Sequence, residues 1–330
     1  MLQTKDIAIV ILNWNGKALL EQFLPLVIKY SEDAVIYVAD NASTDDSVAF
    51  IAEHFKTVKQ IKNTKNGGYA KGYNDALKHV KAPLLCLLNN DIEVTKNWLQ
   101  PIVTAFNTDT ETAIIQPKIL DYKQKSHFEY AGAAGGFIDK YGYPFCRGRI
   151  FDTIEEDLGQ YNDTCQIFWA SGACLFIRNS VFKNLNGFDA SFFAHMEEID
   201  LCWRAFNTNY KTVYVGTSVV YHVGGATLST TNPKKTYLNF RNSLFTLVKN
   251  TDSNLFFRII IRMKLDGVAA LRFLLQLKPQ YFFAILKAHV SFYLNLKRLL
   301  KQRKLLQKRA NYYKTHSIVW SYFIKKRTTF

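Results

Sequence analysis

Apolar runs of four to eight residues alternate with longer amphipathic stretches through the first 118 residues. A strand that is hydrophobic throughout must be covered on both faces, and the helices that connect such strands do the covering. The pattern therefore points to βαβ units around a parallel sheet. The runs place strands at about 7–12, 34–39, 58–62, 84–88 and 113–116, with helices at 17–30, 44–55, 69–80 and 96–107. Ser43, with Asp46 three residues on, reads as an N-cap and first-turn acid for the second helix.

In an open parallel sheet, ligands bind beyond the carboxyl ends of the strands, so the residues closing each run carry the functional information. Those residues are Asn13-Trp14-Asn15-Gly16, Asp40-Asn41-Ala42-Ser43, Asn63 with Asn66-Gly67-Gly68, and Asn89-Asn90-Asp91. Each group alone has a turn or capping explanation; together they describe a polar rim. Gly67, Gly68 and Gly72 do not form G-x-G-x-x-G, and no Gly-Lys-Ser/Thr follows them, which disfavours dinucleotide and Walker-type sites. One carboxylate, several amides and flexible backbone suit a nucleoside diphosphate with Mg²⁺ or Mn²⁺, because phosphate oxygens and water supply the remaining ligands.

The segment from 119 to about 165 is rich in Gly, Tyr and Lys with weak periodicity, and reads as irregular hairpins or a mobile loop. Residues 166–223 continue the same domain through a helix near 197–208 and the strand-like TVYV and SVVYH. Here Glu197, Glu198 and Asp200 crowd near His195 and Trp203. Acids at a helix start are favoured by its dipole, but three beside aromatic residues also fit a catalytic base. His222 closes the second of these strands, as either a rim histidine or a ligand.

Composition separates a second region. Residues 230–330 hold 21 Lys and Arg against Asp252 and Asp266, a net charge of +19, whereas the remainder carries −4. Beyond Pro233 apolar and basic residues interleave with helical spacing. The expected division is thus 1–232, with halves at about 1–118 and 119–232, and a basic amphipathic helical region at 233–330. Five scattered cysteines without C-x-x-C spacing suggest neither a disulfide framework nor a zinc site. The amino terminus reads as a core strand rather than a signal peptide, and no apolar run approaches the roughly 18 residues of a spanning helix.

Taken in order, IVILNWNG, DNASTDDS, NGGYAKGYN, LLNND, SGACLFIR, GFDASFFAHMEEIDLCWR and VVYH resemble a family 2 glycosyltransferase of the GT-A fold, in its bacterial rhamnosyltransferase-like branch, over about residues 5–250. The resemblance implies an α/β fold with a Rossmann-like, mostly parallel sheet and a C-terminal helical extension. It implies that Asp40 binds the nucleobase, that Asn13 and Asn15 lie by the nucleoside, and that Asn66, Gly67, Asn89 and Asn90 line the donor. The usual D-x-D reads Asn89-Asn90-Asp91, leaving Asp91 to hold a divalent cation, with His222 as a second candidate ligand. In the E-D-x-D-L motif the base position is Glu198, with Glu197 the alternative, and Arg241 in TYLNFRNSLF falls where it would meet phosphate.

The implied reaction is inverting transfer from a nucleoside-diphosphate sugar, with dTDP-rhamnose favoured over UDP- and GDP-sugars, to a glycan or lipid-linked acceptor of a bacterial surface polysaccharide. The basic region fits the anionic cytoplasmic face of the inner membrane and carries no obvious nucleic-acid-binding module. A nucleotide-sugar-binding protein without catalysis and a nucleotidyltransferase are the rival readings.

Overall fold

The computed structural model describes residues 1–224 and 232–330. Strand β1 (Ile7–Asn13), helix α1 (Lys17–Tyr30), β2 (Val35–Asp40), α2 (Ser47–His54), β3 (Lys59–Lys62), α3 (Gly68–Ala76) and β4 (Leu84–Asn89) follow the expected alternation. Alternate residues of β1 enter two different cores. Ala8 and Val10 pack on the side of α3, and Ile7, Ile9 and Ile11 on the side of α1. Burial on both faces is why this strand reads as an unbroken apolar run.

The chain continues through β5 (Ile92–Val94), α4 (Leu99–Thr108) and β6 (Thr112–Asp121). A small antiparallel sheet follows, formed by β7 (Gly136–Ile138), β8 (Pro144–Cys146), β9 (Arg149–Ile150) and β10 (Thr153–Ile154). The irregular hairpins expected here therefore form, and Phe128, Ile138 and Cys146 are fully buried among them. Next come β11 (Thr164–Ile167), β12 (Cys174–Arg178), α5 (Asn179–Asn184), α6 (Glu197–Asn207) and β13 (Lys211–His222). TVYV and SVVYH are one strand with an irregularity between Val215 and Val219.

The main sheet runs β11-β13-β6-β12-β4-β1-β2-β3, with β5 paired to β13. From β4 to β3 all pairings are parallel. β12 is antiparallel to both β4 and β6, and β13 is parallel to β6. Two reversals restore the direction, so β13 ends on the same rim as β4. That places His222 beside the LLNND strand end.

Ser43 does not cap α2, which begins at Ser47 behind Asp46 with no side-chain cap bond. Its hydroxyl instead accepts from the Asn15 N–H at 2.9 Å, tying the first two strand ends together.

Helices α7 (Pro233–Asn250), α8 (Leu255–Leu275), α9 (Pro279–Leu305) and α10 (Ile318–Phe323) complete the chain. Leu244, Phe245, Leu247 and Val248 of α7 share one core with Tyr73 of α3 and Trp203 of α6. Among the described residues, no helix is long and apolar enough to cross a membrane.

Candidate active site

The amide side chains at the strand ends mostly bond each other. Asn90 Nδ2 donates to Asn13 Oδ1 at 2.9 Å. Asn41 Nδ2 donates to Asn66 Oδ1 at 3.0 Å, and Asn63 Nδ2 to Asn41 Oδ1 at 3.1 Å. Asn15 Oδ1 accepts from the Thr44 N–H at 2.7 Å. Gly16 fits this lattice because a Cβ there would stand 2.2 Å from Asn90 Nδ2. The network fixes the loops at the strand ends relative to one another. Asp40 is the exception: Oδ2 accepts from the Ser43 N–H at 3.0 Å, while Oδ1, buried, accepts nothing from the protein. A buried carboxylate oxygen without a donor is costly unless a ligand N–H or O–H meets it.

At the end of β4 the chain turns through Asn90 and Asp91 into β5, whose pairing with β13 sets Ile92 opposite His222. Asp91 and His222 are both buried. Asp91 Oδ1 lies 3.2 Å from His222 Nε2, and Asn89 Nδ2 lies 3.4 Å from the same nitrogen. On the other side of the ring, Nδ1 lies 3.3 Å from Glu129 Oε1. Burial alone would lower the imidazole pKa, but Glu129 and Asp91 outweigh it and raise the value to about 10. Two carboxylates that hold a proton on the imidazole make a pocket suited to positive charge, and a divalent cation would displace the Nε2 proton, because only the neutral ring can ligate. Asp91 oxygen and His222 nitrogen are a fitting donor pair for a divalent cation, with Glu129 placed to orient the ring through its other nitrogen. Among the described residues, no group of three or more His, Cys, Asp or Glu forms a complete metal cage.

The second acidic cluster sits at the start of α6 behind a constrained turn. Phe193, His195 and Met196 have φ of 67°, 70° and 72°, a left-handed run that bulky residues adopt only when the surroundings impose it. Asn242 on α7 imposes it here. Fully buried, its Nδ2 donates to the carbonyl oxygens of Phe192, Ala194 and His195 at 3.0, 2.9 and 2.7 Å. Arg241, expected at a donor phosphate, instead directs its guanidinium to the Ser191 and Phe192 carbonyls at 3.1 and 3.0 Å, behind the same loop. From the opposite side, the Ala70 N–H donates to Phe193 O at 3.3 Å. Gly68, with φ +77°, allows that approach, since a Cβ there would lie 2.4 Å from the same oxygen.

Glu197 and Glu198 follow directly. Glu197 is 4% exposed, Glu198 more open, and each keeps one carboxylate oxygen without a hydrogen-bond partner. Burial raises both pKa values, that of Glu197 further because the Glu198 charge adds to it. Of the two adjacent acids, Glu198 is therefore the more readily ionised. Burial lowers the His195 pKa to about 4, so that imidazole is neutral near pH 7. Asp200 points the other way, into a buried network with Arg204 Nε at 2.8 Å, Lys249 Nζ at 2.9 Å and Asn250 Nδ2 at 2.8 Å. Burial would raise its pKa, yet Lys249 and Arg204 hold it low.

Tyr69 connects the two clusters. Its hydroxyl, close enough to feel the charges of Glu197 and Glu198, donates to Gly172 O at 2.7 Å. The next residue, Ala173, accepts from the Asn89 N–H at 2.9 Å. Tyr69, beside the two glutamates, and the end of β4 therefore both bond the Gly172–Ala173 segment.

Residues 8–185 match the family model described as Glycosyl transferase family 2. The chain belongs to this family. It is 26% identical over 211 residues to the low-salt glycan biosynthesis hexosyltransferase Agl10 of Haloferax volcanii, covering 62% of this chain and 62% of that protein. It is 25% identical over 244 residues to the N-acetylglucosaminyl-diphospho-decaprenol L-rhamnosyltransferase of Mycobacterium tuberculosis, covering 66% of this chain and 76% of that protein. The match thus spans about three fifths of the haloarchaeal relative's length. Among solved structures, GalNAc-T7 with UDP, GalNAc and Mn²⁺ superposes with a TM-score of 0.57 at 17% identity, over 75% of this chain and 48% of that one. The fold is GT-A.

Sequence reasoning missed two residues that pack at this candidate site. Glu129 lies in a glycine-rich stretch with no periodicity to mark it, and only the return of β13 brings it to His222. Asn242 had a signal, since it follows Arg241 in the quoted Phe-Arg-Asn segment, but its role needed the loop carbonyls to be seen.

Proposed function

We propose that this family 2 enzyme transfers a hexosyl group, with rhamnosyl the favoured kind, from a nucleoside-diphosphate sugar to a hydroxyl of a glycan or lipid-linked acceptor. The observation that carries the reading is Glu198: a partly open carboxylate of raised pKa, held by a clamped loop across Gly172 and Ala173 from the rim of Asp40, Asn89 and Asp91. Asp40 Oδ1 accepts a nucleobase N–H, Asn13 and Asn15 shape the nucleoside end with the loop of Asn66 and Gly67, and Asn89 and Asn90 face the diphosphate. Asp91 and His222 would hold a divalent cation, Mg²⁺ or Mn²⁺, which would supply positive charge beside the departing diphosphate. Glu198 takes the proton of the acceptor hydroxyl as its oxygen forms a bond to the anomeric carbon. The bond from that carbon to the diphosphate oxygen breaks, and the configuration inverts.

The relative acting on a decaprenol-linked substrate supports a lipid-linked acceptor in surface-glycan synthesis, and the +19 charge of residues 230–330 supports work at the anionic cytoplasmic membrane face. The test is transfer by the wild type and by Glu198→Gln with a panel of nucleotide-sugars chosen by thermal shift with Mn²⁺ or Mg²⁺. Product of inverted anomeric configuration from the wild type, and none from a variant that still binds nucleotide, is expected. Equal turnover by the two proteins would remove Glu198 as the base.

A further inference from the structure

Helix α8 is amphipathic in the inverted sense. Its buried row is Arg258, Arg262, Asp266 and Ala270, at strict four-residue spacing. Arg258 Nη1 donates to Asp252 Oδ1 and Tyr312 OH, each at 2.8 Å. Arg262 donates to Asp266 Oδ1 at 2.8 Å and Ser243 Oγ at 2.7 Å, and Tyr143 OH to Asp266 Oδ1 at 2.7 Å. The opposite side presents Phe257, Ile261, Val268, Leu271 and Leu275 to solvent, at the three- and four-residue steps of one helical stripe. α9 packs against α8 and continues the pattern, with Phe283, Leu286, Val290 and Leu294 exposed while Ala284, Ile285, Ala288 and Phe292 are buried. The two exposed sides adjoin, since exposed Tyr293 donates to Met263 Sδ across the helix pair at 3.3 Å. Of 22 exposed large hydrophobic side chains among the described residues, 15 lie between Phe256 and Leu305. An apolar surface gathered in this way marks a contact site rather than ordinary surface composition.

Charge identifies the occupant. From Ser253 to Phe330 the only acid is Asp266, and it is 0% exposed. The outer side of the hairpin therefore carries Lys264, Lys278, Lys287, Lys297 and Lys301 with no acid among them. A second copy seated on the same face would set lysine against lysine. An anionic bilayer answers both features, taking the apolar stripe at the acyl boundary and the lysines at the headgroups. Neither helix is apolar enough to span, so the hairpin lies in the interface plane.

We propose that the outer face of the α8–α9 hairpin is a lipid-docking surface that seats the enzyme on anionic bilayers. The proposal rests on the membrane reading above and names the face responsible.

The test uses the full chain with vesicles of phosphatidylcholine alone or with roughly 30% phosphatidylglycerol. The variant is Val268→Asp, Leu271→Asp and Val290→Asp together, all at solvated positions, with folding checked by circular dichroism and Tm. Wild type should sediment with the anionic vesicles and not with the neutral ones, and the variant's partitioning should fall roughly tenfold or more. Donor turnover with a soluble acceptor analogue should stay as in wild type; loss of that turnover in wild type with vesicle binding intact would sink the proposed function and leave the docking face standing. Unchanged vesicle binding by the variant, or equal binding of wild type to neutral vesicles, would overturn the proposal. So would a wild-type dimer, seen by ultracentrifugation, that becomes monomeric in the variant while neither binds lipid.

Discussion

The donor rim and the C-terminal hairpin place polar and apolar residues in opposite ways. At the rim, apolar strands are buried and their polar ends converge on one cleft, where asparagines satisfy one another, Asp91 pairs with His222, and Asp40 Oδ1 is left without a donor. In α8 the arginines and Asp266 are the buried row and the phenylalanines and leucines face outward. Both have clear hydrophobic periodicity. Periodicity reports that a helix or strand has two unlike faces; it does not report which face meets water.

The largest effect should come from the rim side. Glu198→Gln should lower kcat by about 10²–10⁴-fold, the usual contribution of a general base, while nucleotide affinity by calorimetry stays close to wild type. Wild-type kcat/KM should rise with pH through an acid limb well above the ordinary glutamate value of 4.5, because Glu198 must be ionised to accept a proton and burial opposes its ionisation. The same raised pKa stabilises the fold fully below 4.5, and that contribution is lost as pH rises through the folded value. The pH dependence of urea stability should therefore shrink in Glu198→Gln.

Next in size is the buried charge network joining α6 to α7. Lys249→Met removes the cation shared by Asp189 and Asp200, both paired with it within 2.9 Å. Stranding buried carboxylates costs about 3–5 kcal/mol, which should appear in urea unfolding. A loss below 1 kcal/mol would show that α7 is less integral to the catalytic core than its packing indicates.

Glu129→Gln should weaken Mn²⁺ binding about 10–100-fold, as loss of a histidine's carboxylate partner does elsewhere. Titration followed by electron paramagnetic resonance measures it independently of turnover, and unchanged affinity would separate Glu129 from the cation site. The smallest effect belongs to the hairpin. Leu294, 81% exposed, should tolerate Leu294→Ser with stability changed by no more than about 0.5 kcal/mol, whereas Leu299→Ser, at a fully buried position of the same helix, should destabilise plainly.

Much of this molecule was legible in advance. The strands from β1 to β4 fall within a residue of their apolar runs, and α1 coincides with its amphipathic stretch. Strand-end chemistry pointed to Asp40 and Asp91 as candidates, and the acidic helix start to Glu197 and Glu198; the roles given to them belong to the proposed function. Ser43 misled because a serine ahead of a helix is a good cap candidate, and nothing local shows that Asn15 engages its hydroxyl first. The family resemblance put Arg241 at a donor phosphate, whereas in the structure its guanidinium donates to carbonyls 49 and 50 residues away in sequence.

The order of apolar runs, and the polar residues that close them, determined the parallel sheet and the rim, because strand periodicity and chain direction are local properties. Tertiary structure alone decided that His222 stands between Asp91 and Glu129, since that meeting depends on two strand reversals and the β5–β13 pairing. It also decided that α8 hides its arginines and shows its leucines, because a charged row can be buried only where Tyr143, Ser243 and Tyr312 are already in place to receive it.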